Sequence, residues 1–384
     1  ANLRLRMAQL LGYSSYAEYA LEERMAKTPQ TVNKFINDLF EASMPFAEKE
    51  VKEIQDYANA HGFEGKLQRW DFSYWSENLK NEKYAMDPNM FKPYFKLENV
   101  KKGIFDLADK LYNIEFKENK EIQKYHPDVT VYEVYDKSNG KFLAILYMDF
   151  FTRPGKAGGA WCGGYRPQAY DKDGKRIAPV VTTVFNFSKP ANGQMALLSA
   201  DETETVFHEF GHALNGLFAD VHYLGVADVP IDFVELPSQI MEHWVFEPEV
   251  LNVYAKHYQT GEVMPKALID KVVKSGKYGQ GFATTEYTAA ALLDLRYHSL
   301  KEIPANFNTD NFEKEVLNKE YGLISQIPPR YRTTYFSHTM GGGYCAGYYS
   351  YIWAEVLDAD AYEAFKETGD IFNQEVANKF RTCV

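Results

Sequence analysis

SADETETVFHEFGHALNGL, residues 199–217, is the stretch that says most about the fold of this chain. It predicts a helix with a defined start, because Ser199 and Glu202 form a capping box in which each side chain accepts a hydrogen bond from the other residue's backbone N–H. The apolar residues that follow are spaced to share one face of that helix: Val206, Phe210, Leu214 and Leu217. The stretch therefore predicts an amphipathic helix packed against a core.

This helix contains the pentapeptide HEFGH at residues 208–212. Residues four apart lie one above the other on a helix, so the imidazoles of His208 and His212 point to the same place. Such a pair suits Zn²⁺, which binds imidazole nitrogen at about 2.0–2.1 Å. Glu209 lies near that place without ligating, as a general base must. Two surface histidines remain the alternative, because a chain with 9 His contains this pattern by chance in about one or two cases per hundred.

A third metal ligand is expected on a second helix downstream. The segment 232–239, DFVELPSQ, contains Glu235, and Glu242 lies two turns further along the same helical face. A structural zinc site is closed, whereas three protein ligands leave a position open for catalysis. Spacing alone does not separate Glu235 from Glu242, and either residue could instead be an exposed carboxylate.

The remainder of the chain predicts a mainly α protein with a small antiparallel β-sheet, an α+β fold. Residues 1–125 have helical patterns, with a helix start at Thr28-Pro29. Residues 191–384 again favour helices. Between them, residues 126–190 contain alternating and β-branched runs that predict strands, a hairpin turn and a glycine-rich loop, in the order 129–135, Asn139-Gly140, 142–151, 155–164 and 180–187. We expect 182–187 to be an edge strand beside which an extended peptide lies.

Composition and charge exclude several classes of partner. The net charge of −11 and pI of about 5.4 argue against nucleic acid and anionic membranes, which need a basic surface. The three cysteines are too few for a disulfide framework, so a reducing, cytoplasmic location is expected, with the periplasm left open. The chain opens on Ala1 within a helical pattern, and we expect it to be a fragment of a longer protein.

Three segments resemble the thimet oligopeptidase and neurolysin family of zinc metallopeptidases. They are His208 to Asn215, Asp232 to Trp244 and Met148 to Gly164. The resemblance covers nearly the whole chain. It implies a zincin-type catalytic region with neurolysin-like helical architecture over residues 1–384, and one Zn²⁺ per chain. It makes Glu235 the third ligand and Glu242 a residue that orients a ligating imidazole. Glu209 would then take a proton from the attacking water.

A second constellation lies in residues 335–351, where three glycines precede a group of tyrosines. Tyr344, Tyr348 and Tyr351 fall at helical spacing on one face, and a tyrosine stripe packed in a core is the alternative. The resemblance places His338, Tyr344 and Tyr351 at substrate-contacting positions. Of these, Tyr351 is the favoured donor to the developing oxyanion. Tyr348 is included among the substrate-binding candidates.

The glycines 341–343 and the preceding RYR at residues 330–332 look more like the bacterial peptidyl-dipeptidases than the endo-acting relatives. An enzyme that releases C-terminal dipeptides must hold a free carboxylate, a task for which Arg is suited. Arg332, and after it Arg330, are the candidates, with an ordinary surface cation as the alternative. The predicted activity is hydrolysis of short peptides by a monomer that releases C-terminal dipeptides. An endo-acting oligopeptidase and an inactive peptide-binding relative are the alternatives.

Overall fold

Helices make up most of the chain in the computed structural model, which describes residues 1–85, 87–191, 193–223 and 225–383. The α-helices are α1 (Asn2–Leu10), α2 (Tyr16–Leu21), α3 (Pro29–Ala60), α4 (Phe72–Tyr84), α5 (Leu97–Tyr112), α6 (Ala200–Phe218), α7 (Leu236–Val245), α8 (Pro248–Tyr254), α9 (Lys266–Ser275), α10 (Gln280–His298), α11 (Thr309–Lys314), α12 (Ser337–Met340), α13 (Ser350–Glu367) and α14 (Gln374–Cys383). Short 3₁₀ segments lie at Pro88–Met90, Lys92–Tyr94 and Thr333–Tyr335, and a π-helix at Glu315–Glu320.

The start of α3 shows how local sequence sets these helices. The hydroxyl of Thr28 accepts a hydrogen bond from the backbone N–H of Thr31 at 3.1 Å, and Pro29 takes the first helical position. Every fourth residue from Val32 to Phe40 is then buried. The predicted helix start is confirmed, and the buried stripe packs this helix into a core.

The strands form a mixed five-stranded sheet in the order β1-β2-β3-β7-β4 and a separate two-stranded pair, β5 with β6. Their bounds are β1 (Ile114–Glu118), β2 (Thr130–Asp136), β3 (Phe142–Phe151), β4 (Trp161–Arg166), β5 (Ala169–Tyr170), β6 (Arg176–Ile177) and β7 (Val180–Phe187). The predicted α+β class, the hairpin between β2 and β3, and the extents of β3 and β7 are confirmed.

The sheet differs from the prediction in three respects. It is not wholly antiparallel, because the chain crosses over through β4, β5 and β6 and returns as β7 parallel to β3. The expectation that 182–187 forms an edge was wrong: β7 pairs with β3 and β4, and β4 is the edge. β1 falls inside the part predicted to be helical, although Ile114 and Phe116 alternate with Glu115 and Lys117 as in a half-buried strand. This short alternation directly follows a helical pattern, and the prediction missed it.

Two compact units share the chain, and both are discontinuous in sequence. The first comprises Ala1–Met86, Pro230–Phe233 and Val273–Trp353, and the second comprises Asp87–Val229, Val234–Val272 and Ala354–Val384. Helices α3 and α10 pack together in the first unit, around buried residues that include Ile36, Phe40 and Leu292. The predicted segments 1–125 and 191–384 are therefore each divided between units, whereas 126–190 lies wholly in the second.

In the second unit, α6 lies against the sheet and against α5. The ring of Phe210 is 5.6 Å from that of Phe116 on β1 and 5.9 Å from that of Phe105 on α5. Gly216 faces Val181 of β7, where an added Cβ would lie 3.2 Å from a methyl carbon. These contacts fix the position of the helix that contains HEFGH. None of the described helices is long and apolar enough to cross a membrane.

Candidate metal centre

Helix α6 begins as its sequence dictates. The backbone N–H of Glu202 donates to the Ser199 hydroxyl at 3.0 Å, and the backbone N–H of Ser199 donates to the Glu202 carboxylate at 2.8 Å. The predicted capping box is therefore confirmed. It fixes where the helix starts, and hence which direction the side chains of residues 208, 209 and 212 take.

Gly211 determines how closely α7 approaches α6. A Cβ atom added to this glycine would lie 2.1 Å from the carbonyl oxygen of Pro237 and 2.6 Å from the Cα of Ser238. Real Cβ atoms do not come so near to a backbone, so a side chain at this position would push the helices apart. The glycine inside HEFGH thus allows Glu235, at the N-terminus of α7, to reach the histidines.

The His208, His212 and Glu235 side chains converge on one point. The Nε2 atoms of His208 and His212 lie 3.4 and 3.1 Å from Oε2 of Glu235, and the ligand atoms of all three residues lie within 4.8 Å of one another. Tetrahedral zinc with bonds of about 2.0–2.1 Å places its ligand atoms about 3.3 Å apart. The two nitrogens and one oxygen therefore fit zinc in both chemistry and spacing.

Two of the three converging side chains, Glu235 and His208, are held by a neighbour. The Ser238 hydroxyl lies 2.8 Å from Oε2 of Glu235, whose carboxylate is buried. Oε1 of Glu242 lies 2.6 Å from Nδ1 of His208, which leaves Nε2 of that ring for the metal. Glu242 therefore lies on the far side of the imidazole from Glu235, and Glu235 is the carboxylate that shares one point with Nε2 of both histidines.

The carboxylates make this site strongly attractive to a cation. Burial alone would lower the pKa of His208, but hydrogen bonds and charge from Glu235 and Glu242 outweigh it and raise that pKa to about 10. Burial acts to raise the pKa of Glu235, yet the two histidines bring it well below its ordinary range. Without a metal the site thus retains a proton, and a divalent cation would displace that proton on binding.

Glu209 is buried beside the group formed by His208, His212 and Glu235 and is not part of it. Its side chain is 5 % exposed, and burial raises the pKa of its carboxyl. Within the described part of the chain, its Oε2 atom has no hydrogen-bond partner. A buried carboxylate oxygen without a partner is costly unless a ligand supplies one, so this oxygen is placed to accept a hydrogen bond from a bound molecule.

The predicted substrate-contacting residues form a second group, in the first unit. The rings of Tyr344 and Tyr351 stack with centroids 4.9 Å apart, and the ring of His338 lies 6.1 Å from the first and 6.4 Å from the second. Sequence spacing placed Tyr344, Tyr348 and Tyr351 on one face of a helix, which was wrong, because α13 begins only at Ser350 and residues 345–349 form a turn. The turn nevertheless brings the rings of Tyr344 and Tyr351 together, and the ring of His338 lies beside them.

Tyr348 belongs to the core. Its side chain is 2 % exposed, and its hydroxyl oxygen accepts a hydrogen bond from Nε of Arg330 at 3.1 Å. A tyrosine whose ring is buried and whose hydroxyl is engaged is placed for packing, which was the alternative for this stripe. The predicted substrate contact of Tyr348 is disfavoured.

Arg332 has its charge already neutralised. Its Nη2 atom lies 2.8 Å from the Asp310 carboxylate, and its Nε atom lies 2.6 Å from that of Glu313. Two carboxylates leave the guanidinium no surplus charge with which to bind the free carboxylate of a peptide. Arg330 is paired with Glu286 at 2.9 Å. Neither predicted role is supported by these contacts, because each requires an existing ion pair to open.

Sequence reasoning missed an ion cluster in the glycine-rich loop before β4. The Arg153 guanidinium donates to both carboxylate oxygens of Asp149 at 2.8 and 2.7 Å, and the Lys156 ammonium lies 2.9 Å from the same carboxylate. The side-chain amide of Asn186 donates to the Ala157 and Gly159 carbonyls. The sequence did contain an indication of this cluster, because the acidic residue near the end of β3 is followed by basic residues four and seven positions later. These bonds fix the loop that leads into the edge strand.

Comparisons with known proteins agree on a family. The model of a family described as Peptidase family M3 matches residues 1–384. The dipeptidyl carboxypeptidase of Escherichia coli strain K12 is 41% identical, over 100% of this chain and 56% of its own length. Oligopeptidase A of the same strain is 39% identical, over 98% of this chain and 56% of its own length. This chain thus spans about half the length of these relatives.

The fold is similar to that of solved structures. That of PZ peptidase A with an inhibitor aligns with a TM-score of 0.52 at 15% identity, covering 99% of this chain and 56% of that one. At such low identity the likeness bears on the fold alone.

Proposed function

This chain belongs to peptidase family M3, and from that premise we propose that it is the metal-binding part of a zinc-dependent peptidase acting on short peptides. The observation that supports this most strongly is the convergence of His208, His212 and Glu235 beside Glu209, a buried carboxylate that does not take part in the set. Two imidazoles and one carboxylate leave a tetrahedral metal one open position, which distinguishes a catalytic from a structural site.

In the proposed reaction each side chain has one task. Zinc, when bound by His208, His212 and Glu235, would polarise the peptide carbonyl and make water more acidic. Glu209 takes a proton from the attacking water and returns it to the leaving amine nitrogen, so its carboxyl must titrate near working pH. The burial that raises its pKa supports this role. Glu242 keeps the His208 ring oriented.

The tyrosine group is proposed to serve the substrate. Negative charge develops on the carbonyl oxygen during attack, and a donor such as the Tyr351 hydroxyl would stabilise it. His338 and Tyr344 are proposed to contact the peptide. Their clustering with Tyr351 within one unit supports a shared role.

Release of C-terminal dipeptides is the proposed mode, with internal cleavage as the alternative. A relative named dipeptidyl carboxypeptidase is 41% identical and one named oligopeptidase A is 39% identical, which is too small a difference to choose between them. The resemblance of residues 341–343 to the glycines of the bacterial peptidyl-dipeptidases favours the first. A cytoplasmic location and a monomeric state are retained as predictions.

Mass spectrometry of the products from one peptide, supplied as the free acid and as the C-terminal amide, tests activity and mode together. We expect zinc-dependent release of a C-terminal dipeptide from the free acid, little cleavage of the amide, and no products with a chelator present. Internal cleavage of both peptides would support the endo-acting alternative. Absence of chelator-sensitive products from either would contradict the proposed function of this chain.

The same peptides test Arg332. Because its guanidinium is engaged by Asp310 and Glu313, we expect Arg332→Ala to keep the parent's preference between free acid and amide. A variant that loses the preference for the free acid would show that one of these ion pairs opens to receive the peptide carboxylate.

A further inference from the structure

Two charged residues bind the backbone between Tyr344 and Tyr351. Neither residue has a role in the proposed reaction. Asp294, on α10, is 1 % exposed and accepts hydrogen bonds from three consecutive backbone N–H groups: Ala346 at 3.1 Å, Gly347 at 2.8 Å and Tyr348 at 3.0 Å. Successive N–H groups that converge in this way make a concavity for an anion, and here a carboxylate of the chain fills it.

Arg24 holds the same segment from its carbonyl side. Its Nη1 atom donates to the Ala346 carbonyl at 2.6 Å and its Nη2 atom to the Cys345 carbonyl at 3.1 Å. Gly347 leaves room for this guanidinium, because a Cβ added there would lie 2.7 Å from Nη1. Asp294 thus satisfies the N–H groups of residues 346–348, and Arg24 satisfies the carbonyls of residues 345 and 346.

The segment held in this way has a strained backbone. Ala346 has a φ of +52°, in the left-handed region that residues with a side chain seldom adopt. Such a conformation persists only where the surroundings enforce it, and it costs of the order of 1–3 kcal/mol. The preceding glycines 341–343 are exposed. An exposed loop without side chains is therefore followed by a segment whose backbone is fixed by hydrogen bonds.

We propose that Asp294 and Arg24 are positioning residues, which fix residues 345–348 and thereby set the side chains of Tyr344 and Tyr351 for the reaction. This inference rests on the proposed function. Tyr344 immediately precedes residues 345–348. Tyr351 lies in the first turn of α13, and this turn is joined to the segment because the Ser350 N–H donates to the Gly347 carbonyl at 3.0 Å. A shift of the segment therefore moves both stacked rings.

A double-mutant cycle on the zinc-loaded chain separates positioning from general stability. We expect Asp294→Asn to lower kcat about tenfold or more while KM changes by less than about threefold, because the amide cannot accept from all three N–H groups. In the Tyr351→Phe background the same change should lower kcat by about twofold or less, since the hydroxyl through which it is expected to affect kcat is already gone. An equal loss of kcat in both backgrounds would overturn the proposal.

Hydrogen exchange provides a readout that does not depend on activity. Asp294→Asn and the milder Arg24→Lys should both accelerate exchange of the amides of residues 346–348. The matched control is Glu50→Gln, since that carboxylate accepts backbone N–H groups of Gly281 and Phe282 at the other end of α10. We expect the control to leave exchange in 346–348 and kcat unchanged.

The outcomes distinguish the two proposals. Unchanged exchange at 346–348 in both variants would overturn the positioning role whatever the activity. If Asp294→Asn fails to fold, Arg24→Lys replaces it in the cycle with Tyr351→Phe. A parent chain that hydrolyses no peptide would contradict the proposed function, and the exchange measurement would still decide whether Asp294 and Arg24 fix this segment.

Discussion

Glu209→Gln is expected to lower kcat by about 10²- to 10⁴-fold while zinc remains bound, because a general base contributes about that factor. The substitution keeps the size of the side chain and removes only its ability to accept a proton. Since burial raises the pKa of Glu209, a neutral amide costs less than the carboxylate in this place, and the variant should unfold no sooner than the parent. The measurements are zinc content, thermal unfolding and turnover of one peptide.

The matched control lies on the same helix. Glu202→Gln makes the same chemical change at the capping box, where Gln also fits the pattern, so activity and stability should be close to those of the parent. Near-normal turnover by Glu209→Gln would remove the assigned base. Loss of zinc from that variant would instead show that Glu209 supports the metal.

Gly211→Ala should separate the two ligand-bearing helices. The new methyl group would meet the Pro237 carbonyl oxygen at 2.1 Å, and neither backbone can yield without moving α7. We expect a loss of roughly 3 kcal/mol or more in the free energy of unfolding, although Ala within a helix is ordinarily favoured over Gly. Glu235 moves with α7, so zinc affinity should fall as well. Thermal unfolding and zinc titration measure the two effects.

Gly216→Ala provides the comparison. That glycine lies on the same helix, but an added Cβ would meet a Val181 methyl carbon at 3.2 Å, and a side-chain methyl yields more easily than a backbone. We expect a change within about 1 kcal/mol and normal zinc binding. Equal effects at positions 211 and 216 would show that the close approach of α7 is not what positions Glu235.

The two histidines of the proposed metal centre were predictable because the features that place them are local. The capping box starts α6, and the spacing of four residues puts both histidines on one side of it. The third ligand was not local. Spacing left Glu235 and Glu242 open, and only the packing of α7 on α6 places one on the metal side and the other behind His208.

Contacts between residues that are far apart in the chain could not be predicted from the sequence. The sequence around Arg332 does not indicate that Glu313 and Asp310 are its ion-pair partners. Asp294 is separated from the backbone groups that it holds by about fifty residues, and it occurs within a helical pattern that predicts no function. The position of β7 between β3 and β4 follows from a crossover, which alternation along a strand cannot show.

X-ray absorption of the dialysed, zinc-loaded chain tests the central claim most directly, because it reads the ligands without any substitution. We expect one zinc per chain, surrounded by nitrogen and oxygen at about 2.0–2.2 Å, with the multiple-scattering signature of two imidazoles. A sulfur shell at about 2.3 Å, which would implicate a cysteine, or failure to retain one zinc after dialysis, would contradict the assignment of His208, His212 and Glu235.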